Sequence, residues 1–103
     1  MLQVFTVYDA QIGKYMPPFY MRSRGEAIRG LTVTCQDRSH NFNRFPNDFT
    51  LFYLGDYHED GAAFDLLPAP ERVIGVWELT LPAVDDRQQE VVKTVEEVEQ
   101  KDA

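Results

Sequence analysis

Basic and aromatic side chains are interleaved at three places in the first half of the chain: Lys14-Tyr15, Phe19-Tyr20-Met21-Arg22-Ser23-Arg24 and His40-Asn41-Phe42-Asn43-Arg44-Phe45. This is the chemistry of a single-strand nucleic-acid binder, in which a ring offers its face to a base and a cationic side chain tracks the phosphates. Each stacked base contributes about 1–3 kcal/mol whatever its identity, so two or three exposed rings suffice. The candidate phosphate contacts are Lys14, Arg22, Arg24, Arg29, Arg38 and Arg44, and the candidate stacking rings are Tyr15, Tyr20, Phe42 and Phe45. The competing reading makes the same rings core and the same arginines solubilising surface.

Catalytic patterns are absent. The chain holds no Gly-rich phosphate loop, no CxxC, no Gly-x-Ser-x-Gly elbow and no His pair at metal-ligand spacing, which favours binding over catalysis. His40 and His58 are separated by a loop and a strand, and the acidic residues beside His58 read as a solvated hairpin tip; neither metal nor cofactor is implied. Cys35 is the single cysteine, so no intrachain disulfide forms, and its place on the apolar stripe of a helix makes it core. A reducing cytoplasm fits, as does the start Met1-Leu2-Gln3-Val4, which lacks the basic and apolar segments of a signal peptide. Apolar stretches are strand-sized, far below the roughly 20 residues of a membrane span.

The net charge of −7 is unevenly placed. Residues 1–45 hold six basic against three acidic side chains, a net of +3, whereas residues 46–103 hold four against fourteen, a net of −10. A basic half suits a polyanion; an acidic half suits a basic partner.

The elements that must position these residues follow from pattern. Leu2 to Tyr8 is rich in β-branched and aromatic residues and runs into turn residues at Asp9–Gly13, so it reads as a strand. Pro17-Pro18 restricts the next extended piece to an edge, with Phe19 to Arg22 an edge strand at most. Ser23-Arg24-Gly25-Glu26 has capping-box spacing, and Ala27, Ile28, Leu31, Thr32 and Cys35 recur at helical intervals, predicting one helix over about 24–36. Asp37 to Phe49 reads as a loop anchored by aromatics. Thr50 to Tyr57 is the strongest strand, turning at Glu59-Asp60-Gly61 into a hairpin partner at Ala62–Leu66. Leu67-Pro68-Ala69-Pro70 reads as a broken connection to a last strand over 72–79.

One α+β domain over 1–82 results: a small, mostly antiparallel sheet in the order β-β-α-β-β-β with one packed helix, a barrel-like curl being the variant next in line. Over 83–103 the aromatics vanish, and Val84, Val91, Val95 and Val98 stripe an acidic amphipathic helical tail. That tail reads as a solvated terminus, a short coiled coil, or a phosphate mimic competing for the basic face.

The opening Leu2-Gln3-Val4-Phe5-Thr6-Val7-Tyr8-Asp9, the Pro17-Pro18-Phe19 step, Gly25-Glu26-Ala27-Ile28-Arg29, His40-Asn41-Phe42 and Pro46-Asn47-Asp48-Phe49-Thr50-Leu51-Phe52-Tyr53-Leu54-Gly55, with the acidic hairpin after it, follow one another along the chain. Together they resemble the small nonstructural protein of gokushoviruses, single-stranded DNA phages of the Microviridae, over about residues 1–80. The resemblance implies a viral DNA-binding accessory protein in the host cytoplasm, binding single-stranded DNA during genome replication or packaging, and it supplies no catalytic residues. A homodimer would extend the reach of so small a basic patch. The reading from a different class is a protein-interaction module that engages a viral or host protein through its acidic half and tail.

Overall fold

The computed structural model describes residues 1–79. The acidic tail expected over 83–103, and the domain end at residue 82, lie outside the described residues. Strand β1 spans Leu2–Asp9, β2 Lys14–Tyr15, β3 Phe19–Met21, β4 Phe49–His58 and β5 Ala63–Gly75; helix α1 spans Arg24–Cys35, with single turns α2 at Asn41–Arg44 and α3 at Val76–Leu79. All strand pairings are antiparallel, in the order β2-β1-β4-β5, with β3 also on β1. The fold is α+β, as the alternation of strand and helix patterns predicts, and its sheet is curled like part of a barrel.

The outer edge of β1 is shared. β2 pairs at Tyr8 and Asp9, and β3 pairs at Gln3, Val4 and Phe5. The Met16-Pro17-Pro18 step bridges the gap: the Met16 amide donates to the Val7 carbonyl at 2.8 Å, and the Thr6 hydroxyl donates to the Met16 carbonyl at 2.6 Å. Neither proline is asked for a donor it lacks, so this edge is the place where Pro17-Pro18 fits.

Helix α1 begins at Ser23, whose hydroxyl accepts from the Glu26 amide at 3.1 Å. Glu26 reaches one residue further back than a capping box requires, accepting from the Arg22 amide at 2.8 Å and so tying the helix start to the end of β3. Ala27, Leu31 and Cys35 face the sheet and close a core with Phe5, Val7, Phe42, Phe49, Leu51 and Val76. Phe5, Leu51 and Val76 are fully buried there.

Three expectations are corrected. The segment 37–49 is not all loop: His40 Nδ1 accepts from the Phe42 amide at 3.0 Å and starts α2, and a 3-10 turn follows at Pro46–Asp48. Leu67–Pro70 does not break the sheet but lies within β5, an edge strand among the described residues, at a point where it bulges away from β4, so Pro68 and Pro70 cost no ladder bond. The last strand ends at Gly75 rather than residue 79, because the chain turns into α3 there, with Glu78 accepting from the Gly75 amide at 3.1 Å and from Arg72. A side chain at Gly75 would strike the Trp77 ring.

Three irregularities along β4 shape the sheet: between Leu51↔Ile74 and Phe52↔Arg72 the pairing skips Val73, and the other two meet at Leu54. Between Val4↔Gly55 and Phe5↔Tyr53 the pairing skips Leu54, and opposite the same residue β5 inserts Leu67–Pro70 between Leu66 and Glu71. Such bulges bend and twist a ladder. Gly55, at φ +142°, sits at the bend, where a Cβ would lie 2.4 Å from the Asp65 carbonyl oxygen and 2.7 Å from Leu66 Cα; only glycine allows this approach.

Candidate nucleic-acid interface

Residues paired across an antiparallel ladder share a face, and the register therefore sorts the rings. Phe5, Phe19, Tyr53, Leu51 and Phe49 lie on the face covered by α1. Val4, Thr6 and Tyr8 point the other way, with Tyr15, Tyr20, Phe52, Tyr57 and Phe64 in register beside them or one pair further along.

On that second face the rings form two clusters. Tyr8, Tyr15 and Phe52 meet with centroids 4.8, 5.5 and 6.5 Å apart. Tyr20, Tyr57 and Phe64 meet at 5.0, 5.7 and 6.5 Å. The contacts are tilted or edge-on rather than face-to-face. Tyr15 is 48% exposed, Tyr20 42%, Phe64 53% and the neighbouring Leu66 57%, whereas Tyr8, Phe52 and Tyr57 are half-buried and Val4 and Thr6 between them are buried, so each cluster offers its exposed rings as a separate apolar patch. Beside the second cluster a shallow hollow is lined by Leu2, Tyr20, Tyr57, Ala62 and Phe64.

The predicted site residues fall in three places. Tyr15 and Tyr20 lie on the ring face, with Arg22 just beyond the end of β3; Lys14, paired with Asp9, falls on the face opposite Tyr15 at the sheet edge. Arg24, Arg29, Arg38 and Arg44 belong to the helix side: Arg24 and Arg29 on α1, Arg38 in the turn after it, and Arg44 on α2. Phe45 is 49% exposed, but the Arg44 guanidinium lies 5.2 Å from its ring centre, away from the sheet clusters. Phe42 is corrected outright. It is 6% exposed, packs at 4.8 Å on Phe49 and belongs to the core, so no base can reach it.

Tyr8, Phe52, Tyr57 and Phe64 are rings that the sequence reading left out. Period-2 alternation marks Val4, Thr6 and Tyr8 as one face of β1, but the same rule places Phe52 and Tyr57 on opposite faces. The skipped Leu54 brings them to the same side. Nothing in sequence pattern announces that bulge except Gly55.

Arg24 lies 3.5 Å from Glu71 and Arg72 pairs with Glu78, whereas Lys14, Arg22, Arg29, Arg38 and Arg44 form no ion pair with any other described residue. The acidic hairpin tip is partly neutralised where the Met1 ammonium donates to Glu59 at 2.9 Å. The Arg72 guanidinium, with its hydrogen bond first, and the Gly75 amide hold the Glu78 carboxyl below its usual range. Burial pushes the Cys35 thiol up, consistent with an unreactive core residue. Among the described residues no cluster of three or more His, Cys, Asp or Glu is arranged to hold a metal ion, and no helix is long and apolar enough to cross a membrane.

No curated protein and no solved structure matches the chain. A family pattern does, over residues 2–79, which takes in every strand and helix described above; the chain belongs to the Phage ORF5 protein family.

Proposed function

We propose that this phage protein binds single-stranded DNA through the open face of its sheet, as a nonstructural accessory protein that escorts the genome during replication or packaging in the host cytoplasm. The observation that carries the reading is the pair of ring clusters on the face away from α1, with Tyr15, Tyr20 and Phe64 exposed. Stacking on such rings is open to a single strand and closed to a duplex, whose bases are already stacked on each other. The ordered sequence blocks that resemble the gokushovirus nonstructural protein support the finer assignment. A homodimer would set two such faces on one strand and raise avidity without new contacts. The role is binding, with no catalytic step.

The net charge of −7 opposes a polyanion at long range, so affinity rests on stacking more than on phosphate contacts. Fluorescent single-stranded and double-stranded oligonucleotides titrated with the full chain at two salt concentrations test the proposal. Single strands should bind and duplexes bind at least tenfold more weakly. If no single strand binds at low salt, the reading is overturned, and the ring face with the acidic β4–β5 hairpin becomes a protein-docking surface.

A further inference from the structure

Along β1, Tyr8 and Val4 mark the levels of the two ring clusters, and four residues of strand separate them by roughly 13 Å. Val4 pairs with Tyr20 and Thr6 with Phe52, and both are buried beneath the level of the exposed rings without offering a ring of their own; no ring of one cluster touches a ring of the other among the described residues. One cation follows the second cluster in the chain, Arg22 two residues after Tyr20, and it is not ion-paired within the described residues, whereas Lys14 pairs with Asp9 and so falls on the face opposite Tyr15. The remaining arginines of the first half lie on the helix side, where a strand lying on the rings does not meet them.

We infer that the ring face is a two-station site for one single strand, in which each cluster stacks bases independently and the strand between them runs along β1 over the buried Val4 and Thr6. The inference rests on the single-strand reading above and specifies its site. With about 3.4 Å per stacked nucleotide, roughly four nucleotides cover the distance between stations. A dinucleotide therefore occupies one station, and an oligonucleotide of six or more engages both. Linking two stations through one ligand raises affinity by effective concentration, commonly by 10²–10⁴-fold, without a new kind of contact. Few phosphates are neutralised, so the salt slope is small: one cation beside the rings, at about 0.7, gives a slope near −0.7.

Oligothymidylates of two to ten nucleotides, titrated against the full chain at several salt concentrations, test this directly. The expected result is a step of tenfold or more between two and six nucleotides, followed by a plateau, with a shallow salt slope. Phe64→Ala and Tyr15→Ala each remove one exposed ring from a different station. Each should flatten the step while leaving weak dinucleotide binding, and circular dichroism should confirm that both variants fold. Affinity that rises smoothly with length, falls steeply with salt and ignores both substitutions would overturn the two-station site while leaving single-strand binding intact through the helix-side arginines. Absence of binding at every length would instead remove the underlying reading.

Discussion

The guanidinium of Arg24 lies 5.4 Å from the ring centre of Tyr53 and 3.5 Å from the Glu71 carboxylate, joining the start of α1 to β4 and β5. A cation next to rings is the pattern that marks nucleic-acid binding in the sequence, yet here it serves within the fold, on the face that α1 covers. Replacing Arg24 with Ala should leave single-strand affinity within about twofold of the parent. The exposed ion pair and the cation–π contact together are worth about 1 kcal/mol, to be read from urea denaturation.

The same contact set fixes the titration of Tyr53. Its hydroxyl donates to Asp56 at 2.7 Å, and this hydrogen bond, ahead of burial and the Asp56 charge, raises the phenol above its ordinary value of 10.0. A raised folded-state value favours the protonated form, so the contribution to stability is present below pH 10 and is lost as pH rises through the folded value. Absorbance titration of the parent and of Asp56→Asn, with Tyr53→Phe to assign the Tyr53 step, should show that step moving to lower pH when the Asp56 carboxylate is removed. A Tyr53 step that Asp56→Asn leaves unmoved would contradict the geometry.

Phe42 and Phe45 look alike in sequence and differ in place. Phe42→Ala should cost about 3–5 kcal/mol, the usual penalty for emptying an aromatic core site, which is a large part of a small domain's stability. Phe45→Ala, at a half-exposed site, should change stability by less than about 0.5 kcal/mol. Denaturation midpoints of the two variants decide this, and equal losses would show that Phe42 is misplaced.

Gly55→Ala should be among the most damaging small substitutions. The new methyl would meet the Asp65 carbonyl oxygen and Leu66 Cα well inside contact distance, at a φ that L-residues avoid. Strain of this kind costs about 1–3 kcal/mol before the clash is added. The expected readout is a lower urea midpoint, together with chemical-shift changes concentrated at the β4–β5 hairpin; an unchanged midpoint would remove the bend from the account.

Much of the fold was legible because local signals and tertiary packing agree. The Ser23 cap, the Ala27-Leu31-Cys35 stripe, the β1 alternation and the hairpin around Glu59-Asp60-Gly61 all appear where their residues place them. The site was legible only in part. Tyr15 and Tyr20 are read correctly as exposed rings, but they meet their partners through long-range register that no local pattern encodes. Phe52 and Tyr57 were hidden by the Leu54 bulge, and Phe42 was misread because a short polar segment conceals a turn of helix that turns its ring inward. Strand residues with strong β-propensity read as core by default, and a sheet with one open face defeats that default.

The proposed single-stranded DNA is expected on the sheet rather than on the helix side, and photocrosslinking would locate it. A single-stranded oligonucleotide carrying 5-iodouracil would be irradiated with the full chain, and the attached residues identified by mass spectrometry. The account predicts crosslinks at Tyr15, Tyr20, Tyr57 and Phe64. Crosslinks confined to Phe45 and the segments around Arg29, Arg38 and Arg44 would contradict it.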